Sequence, residues 1–251
     1  MSVYATGDIH GDPRRFGTSV FPEQREMNRD DYVIILGDFG LIWSGNKEET
    51  YWLKWLEKKP FTILFVDGNH ENFDMLNTFP VVDFHGGKAH RFRDNIYHLM
   101  RGYVFDIGGR KFFAFGGARS HDIEDGILDP SAYGPEEFND ICRSWRRQNR
   151  MFRVKGISWW EDELPAEEEM SRGNASLTEV NMEVDFVISH CAPQEIASLM
   201  GFTESDILTD YFEGLLSDGL TFKRWLFGHY HVNRQVLGKY ICLYEQIIQI
   251  A

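Results

Sequence analysis

Seven side chains offering carboxylate or amide oxygen and imidazole nitrogen recur at one kind of place: Asp8, His10, Asp38, Asn69, His190, His229 and His231. Each closely follows a short apolar run. Residues 3–6 lead to Gly7-Asp8-Ile9-His10-Gly11, residues 32–36 to Gly37-Asp38, and residues 61–66 to Asp67-Gly68-Asn69-His70-Glu71. Residues 184–189 lead to His190, and residues 224–227 to Gly228-His229-Tyr230-His231. An oxygen and imidazole set without thiolate suits Mn, Fe, Zn or Co. Seven ligands exceed the needs of one tetrahedral ion, and a carboxylate such as Asp38 can bridge two ions at the roughly 3.5–4 Å used in phosphoryl hydrolysis. The chemistry expected is that of a binuclear centre of divalent metal ions.

Such a site needs elements that bring the five endings together. Asp8 and His10 lie two apart, so in extended backbone they leave the same face of the chain, and Gly7 and Gly11 permit a tight turn beside them. About 30 residues separate Asp8 from Asp38 and Asp38 from Asn69, the length of one strand, helix, strand unit. Asp12 with Pro13 predicts one linking helix, and Asn46 with Glu49, ahead of Tyr51, Leu53, Trp55 and Leu56, predicts another. Parallel strands put their carboxyl ends on one edge, where open α/β sheets bind ligands. The fold class is therefore α/β.

Past Asn69 the pattern changes. Tyr97-His98-Leu99, residues 103–107 and residues 111–115 are short, aromatic and β-branched, and predict antiparallel strands with Gly108-Gly109 as a hairpin turn. Residues 120 to 156 suggest nothing regular and carry Arg143, Arg146, Arg147, Arg150, Arg153 and Lys155, so we expect a cap-like insertion over the site. Pro165 followed by Glu167, Glu168 and Glu169 marks a helix start. Residues 234–250 predict a hairpin turning at Gly238-Lys239. No linker or repeat divides the chain, so residues 1–251 are expected to form a single domain.

Composition limits the partners. The 251 residues can bury a full core. No apolar run approaches the roughly 20 residues of a membrane span, and the N-terminus lacks the pattern of a signal peptide. Cys142, Cys191 and Cys242 are odd in number and scattered, as expected of free thiols in a reducing compartment. A cytoplasmic location is the expectation. The formal charge of −13 disfavours nucleic acid as a partner, although bound cations would invert the sign locally.

Taken together, Gly7-Asp8-Ile9-His10-Gly11, Gly37-Asp38, Gly68-Asn69-His70-Glu71, Ser189-His190 and Gly228-His229-Tyr230-His231 closely resemble the five signature blocks of the calcineurin-like metallophosphoesterases, in the family's order. The resemblance implies a four-layer αββα sandwich of two mixed sheets flanked by helices, with the binuclear site at the strand carboxyl ends. It implies that Asp8, His10, Asp38 and His231 hold one metal, that Asp38, Asn69, His190 and His229 hold the other, and that His70 is the catalytic histidine. The implied activity is hydrolysis of phosphoric esters or anhydrides in a small phosphorylated substrate, with a metal-bridging hydroxide as nucleophile. Two divalent ions are the cofactors, manganese being the one expected in vitro.

One departure narrows the branch. The protein serine/threonine phosphatases carry an arginine after the second block, where this chain has Phe39-Gly40-Leu41-Ile42-Trp43. Gly116-Gly117-Ala118-Arg119-Ser120 and Ser158-Trp159-Trp160 are more similar to a group of bacterial and phage metallophosphoesterases. Arg119 is a candidate replacement phosphate contact, and His121 the one further histidine placed near substrate. His85, His90 and His98 are expected to be ordinary hydrogen-bonded side chains, and Trp159 and Trp160 to anchor a loop. A protein phosphatase is the alternative that the missing arginine disfavours. A non-catalytic metal-binding scaffold is disfavoured by the retention of every ligand and of His70.

Overall fold

The computed structural model describes residues 1–251. Strands β1 (Val3–Thr6), β2 (Tyr32–Leu36), β3 (Thr62–Val66), β4 (Val81–Phe84), β5 (Gly87–Arg93) and β6 (Ile96–Leu99) lie in one sheet. They are followed by β7 (Tyr103–Asp106), β8 (Lys111–Phe115), β9 (Gly126–Leu128), β10 (Phe152–Val154), β11 (Glu183–Ser189), β12 (Thr221–Phe227), β13 (Arg234–Val236), β14 (Tyr240–Cys242) and β15 (Ile247–Gln249). The helices are α1 (Lys47–Glu57), α2 (Phe73–Leu76), α3 (Pro135–Arg147), α4 (Glu167–Glu179), α5 (Gln194–Leu199) and α6 (Ile207–Ser217).

Seven strands form the first sheet in the order β15-β1-β2-β3-β6-β5-β4, and six form the second in the order β13-β14-β12-β11-β8-β7. Both are mixed: β1, β2, β3 and β6 run parallel, as do β14, β12, β11 and β8, with antiparallel strands at the edges. Register sorts the side chains with period two. Ala5, Ile34 and Leu64 stand side by side and meet Phe112, Ile188 and Leu226 of the second sheet in the central core. The alternate residues Ile35 and Phe65 face outward under Leu53 and Leu56 of α1, while Val187 and Trp225 face Leu177 of α4, Ile196 of α5 and Phe212 of α6. The four layers are thus helix, sheet, sheet, helix, and burial on both faces explains the unbroken apolar runs of β2 and β3.

Local signals hold where they concern caps. Asn46 accepts from the Glu49 N–H at 2.9 Å and starts α1; Glu49 turns its own carboxylate to the N–H groups of Trp43, Ser44 and Gly45. Glu169 accepts from the Ala166 N–H at the start of α4. Gly108 and Gly109 both take positive φ between β7 and β8, as a tight hairpin requires.

Four expectations need correcting. Asp12-Pro13 begins a 3-10 turn, Pro13–Phe16, not an α-helix: the Gly17 N–H bonds back three residues to Arg14, and Pro22 opens a second 3-10 turn, Pro22–Glu26. Tyr97-His98-Leu99 in β6 pairs antiparallel with β5 on one side, as expected, but in parallel with β3 on the other, so the strand is mixed and not purely antiparallel. Residues 120–156 are regular: β9, α3 and β10 form a unit whose strands pair in parallel with each other alone, over a small core of Leu128, Cys142 and Val154. The C-terminal hairpin ends at Cys242 in the second sheet, opposite Arg234; the chain then crosses to the first sheet, where β15 pairs with β1.

Candidate metal centre

Asp8, Asp38, Asn69, His190 and His229 sit directly beyond β1, β2, β3, β11 and β12, so the facing sheets deliver them to one end of the sandwich. Four of the seven residues, His10, Asp38, His229 and His231, have left-handed backbone, with φ between 45° and 67°. Non-glycine residues adopt this conformation uncommonly, and it clusters where function holds a strained turn in place. The preceding glycines make room for neighbouring ligands: a Cβ on Gly37 would run into the His190 ring, and one on Gly68 into the Asp38 carboxylate.

Two groups of potential ligand atoms result, Asp8, His10 and His231 in one, Asp8, Asp38 and His190 in the other. In the first, Asp8 Oδ2 lies 3.1 Å from His231 Nε2 and 3.9 Å from His10 Nε2, and the two imidazole nitrogens are 3.0 Å apart. In the second, Asp38 Oδ1 lies 3.4 Å from His190 Nε2, while Asp38 Oδ2 reaches to 3.8 Å from His10 Nδ1. Asp8 thus belongs to both groups, and Asp38 approaches the first through His10. The proximity of Asp8 Oδ1 to His190 runs through Nδ1, which donates to the Leu36 carbonyl at 2.7 Å and so leaves Nε2 as the free ligand atom. Asn69 joins this side, with Oδ1 3.3 Å from His190 Nε2. His229 packs its ring 4.9 Å from His190 between centroids, adjacent to both groups but outside either triad.

Whether these groups fit a cation can be judged from Asp8. Its Oδ2 is completely buried and accepts no hydrogen bond, with imidazole nitrogens as its nearest partners. A buried anionic oxygen without a donor is costly, and a cation ligated by the surrounding nitrogens satisfies it. The electrostatics agree. Burial acts to raise Asp38, yet His190, His70 and His10 outweigh it and hold the carboxyl far below its usual range. Burial acts to lower His190, yet Asp38 and Asp8 push it up to about 10. The carboxylates thus draw positive charge into the cluster. His10 is lowered by burial against the pull of Asp38, and His229 is held well below its ordinary value by burial and then by His190, which keeps their nitrogens available as ligands.

A surrounding set of side chains holds these residues, and sequence reasoning missed most of it. Glu71, fully buried, accepts from the N–H of Phe39 at 2.7 Å and fixes the turn after Asp38. Asn69 Nδ2 donates to Ser120 Oγ at 3.2 Å, and Ser120 Oγ donates to Glu163 at 2.7 Å, which turns the Asn69 carbonyl oxygen toward His190. Burial pushes Glu163 up to about 8. Arg15 binds the Asp8 carbonyl at 2.7 Å. Glu71 closes the block that follows β3, but Arg15, Ser120 and Glu163 lie outside the five ligand blocks, so no local signal marks them.

His70 lies beside the cluster, its backbone N–H donating to Asp38 Oδ1 at 2.8 Å and its ring 5.2 Å from that of His10. Burial pushes it down to about 4; Asp38 pulls the other way and Arg153 adds to the depression. Arg119 is exposed and makes no hydrogen bond to the cluster; it lines a cavity of about 450 Å³ with His121, Phe202 and Glu204. His121 stacks on His229 at 4.5 Å. His85 bonds Tyr32, and buried His98 bridges His90 and Asp67 at 3.0 Å each, as expected of structural histidines. Trp160 is anchored in the outer core and donates to Asp74.

Two facing sheets end in carboxylates and imidazoles that could hold metal ions. The chain belongs to the calcineurin-like phosphoesterase family, whose model matches residues 1–233. A search of curated proteins finds no match. Membership implies metal-dependent hydrolysis of phosphoesters. No helix is long and apolar enough to cross a membrane.

Proposed function

We propose that the protein is a two-metal hydrolase of phosphoric esters or anhydrides in small phosphorylated molecules, outside the protein serine/threonine phosphatase branch. The observation that carries this is the pair of ligand groups that share Asp8 and that Asp38 links through its approach to His10, with the orphaned Asp8 oxygen between imidazoles. Asp8, His10, Asp38 and His231 would hold one ion and Asp38, Asn69, His190 and His229 the other. Divalent cations supply Lewis acidity, lowering the pKa of water and neutralising phosphoryl oxygens. Manganese is the ion we expect to serve in vitro.

The chain's own residues do the rest. Asp38 couples the two halves of the site. His190, fixed through Nδ1 to Leu36, keeps Nε2 directed at Asp38 and Asn69. His70, a neutral ring at pH 7 by its depressed pKa, offers an N–H to the leaving oxygen. Its presence favours an enzyme over a scaffold. The cavity bounded by Arg119 and His121 is the proposed seat of the substrate's organic part. Profiling the metal-loaded protein against monoesters, diesters, dinucleoside polyphosphates and phosphopeptides tests the assignment. Turnover confined to phosphopeptides, or absent throughout, would reject it.

A further inference from the structure

A second cavity, of about 420 Å³, is lined by residues of α2, β5, β6 and the start of α4, and by none of the seven ligand candidates. Its polar wall is a row of buried hydrogen bonds. Arg101 donates through Nε to Asp67 Oδ2 at 2.9 Å and through a terminal nitrogen to Glu169 at 3.0 Å. Asp67 Oδ1 lies 3.0 Å from His98 Nε2, and His98 Nδ1 lies 3.0 Å from Nδ1 of His90. There the row stops. His98 is met at both nitrogens, whereas Nε2 of His90 has no partner in the protein, although the residue is only 4% exposed. That nitrogen is not sealed off by its neighbours, and His90 lines the cavity.

The direction of the row follows from its far end. Asp67, paired with Arg101, is a carboxylate and only accepts. Arg101 already balances its charge, so a second buried cation at His98 would stand uncompensated. Neutral His98 therefore donates from Nε2 and accepts at Nδ1, and His90 donates from its own Nδ1. The planes of the two rings are 7° apart and their centroids 5.3 Å, which is the nitrogen–nitrogen distance plus one ring radius at each end. The hydrogen thus lies in both ring planes, on a lone pair. A neutral ring with its hydrogen on Nδ1 leaves a lone pair at Nε2. Burial, and then His98, push His90 down to about 4, so the ring is neutral at pH 7. The lining is also acidic: Asp67, Glu161, Asp162 and Glu169 stand against Arg101 alone. Asp67 and Glu169 both pair with that arginine, while Asp162 engages it only through its backbone carbonyl, which leaves an exposed carboxylate free.

We propose that this cavity is a binding site for a small organic ammonium ion, a protonated primary amine whose N–H donates to His90 Nε2, whose charge faces Asp162, and whose hydrocarbon stem lies against Phe73, Leu76 and Met100. Its volume is within the roughly 300–1,000 Å³ of small-molecule sites. The wall discriminates by chemistry. A quaternary ammonium keeps the charge and lacks the donor, an alcohol has the donor and lacks the charge, and a carboxylate meets a lone pair and a row of acidic groups. The site asks nothing of the reaction at the metal cluster.

The test uses the full chain loaded with diamagnetic zinc and four probes that share one stem: butylammonium, butyltrimethylammonium, 1-butanol and butyrate. Before any probe is added, nitrogen-15 NMR should show His90 with its hydrogen on Nδ1 and a bare Nε2. Butylammonium should then shift the Nε2 resonance saturably, with an affinity roughly tenfold or more above that of the other three, the scale of one charge-assisted hydrogen bond. His90→Phe removes the acceptor and should abolish the preference for butylammonium over its quaternary counterpart. Asp162→Asn, at an exposed position, should weaken butylammonium about two- to fivefold. A hydrogen on Nε2 of His90 in the free protein would overturn the proposal. So would the absence of a saturable shift, a shift centred on His190 or His229 in place of His90, or equal affinity for the primary and quaternary ions. Should His90→Phe fail to fold, the His90 resonance of the parent protein and the Asp162→Asn comparison still decide.

Discussion

The strand-end cluster and the β9–α3–β10 insert meet at His70, and they are built on different terms. The cluster is made by backbone: parallel strands of two facing sheets stop at the same level, and left-handed turns at His10, Asp38, His229 and His231 aim the side chains. The insert is made by side chains: a three-residue strand pair, a small core of its own, and one buried arginine reaching the site. The first arrangement fixes what reaction is possible, since it sets the ligand atoms and their charge. The second adjusts one group beside them. Substitutions in the cluster should therefore abolish chemistry through metal loss, whereas substitutions in the insert should alter rate or affinity with metal retained.

The largest effect is expected at Asp38. Asp38→Asn should lower the occupancy of both ions together and cut turnover by at least about 10²–10³-fold, the loss typical of removing one preorganised group that stabilises the transition state. Elemental analysis with parallel kinetics checks this, and full metal content with unchanged turnover would remove the bridging role.

His70→Ala should come next, slowing alkyl phosphate hydrolysis by about 10²–10⁴-fold with both metals retained, and nitrophenyl phosphate much less, because a nitrophenolate leaves without help. Equal losses on the two substrates would assign His70 to orienting the nucleophile or the phosphoryl group. The pKa of about 4 adds a sign. Were the imidazolium the donor, the rate advantage of the parent over His70→Ala would fall as pH rises above about 4. A neutral N–H donor predicts a ratio that is flat through neutral pH.

Replacing Arg146, Arg147 and Arg150 together with Ala should have a small effect on KM, within the range of ordinary surface substitutions, about 0.5 kcal/mol each. All three are exposed and none bonds a site residue, in contrast to Arg153. A rise in KM for anionic substrates of about tenfold or more, some 1.4 kcal/mol, would show that charge over the insert selects the substrate.

The smallest effect concerns stability at Glu163. Its folded-state pKa is raised to about 8 from an ordinary 4.5, so between these values the unfolded chain releases a proton that the folded protein keeps. Stability should then fall as pH rises from about 5 to 8, and Glu163→Gln should flatten that slope. Melting temperatures across this range check the sign; a slope of equal size in the variant would place its origin elsewhere.

Much of this was legible in the sequence because the informative residues are local to each strand end. Gly37-Asp38 and Gly228-His229-Tyr230-His231 announce a stop, a tight turn and a ligand within a few positions. Asn46 and Glu49 announced α1 for the same reason. The insert was misread as irregular, although Pro135 with Glu136 and Glu137 gives α3 the same start signal that Pro165 with Glu167 gives α4. Its two strands are three residues each, too short for a period to show. Arg153 was hidden more deeply, since its partner His70 is 83 positions away and nothing beside it in the chain distinguishes it from its exposed neighbours. The Asn69, Ser120, Glu163 row is invisible for the same reason. The parallel pairing of β6 was missed because aromatic composition reports burial and not direction.

The central claim is a two-ion centre that hydrolyses phosphoesters, and the most direct measurement is a metal titration of the chelated protein that follows binding and hydrolysis of a small phosphoester together. The account predicts that activity is absent without metal and rises to a plateau as two divalent ions bind per chain. Hydrolysis at full rate in the metal-free protein, or saturation at a single bound ion, would contradict it.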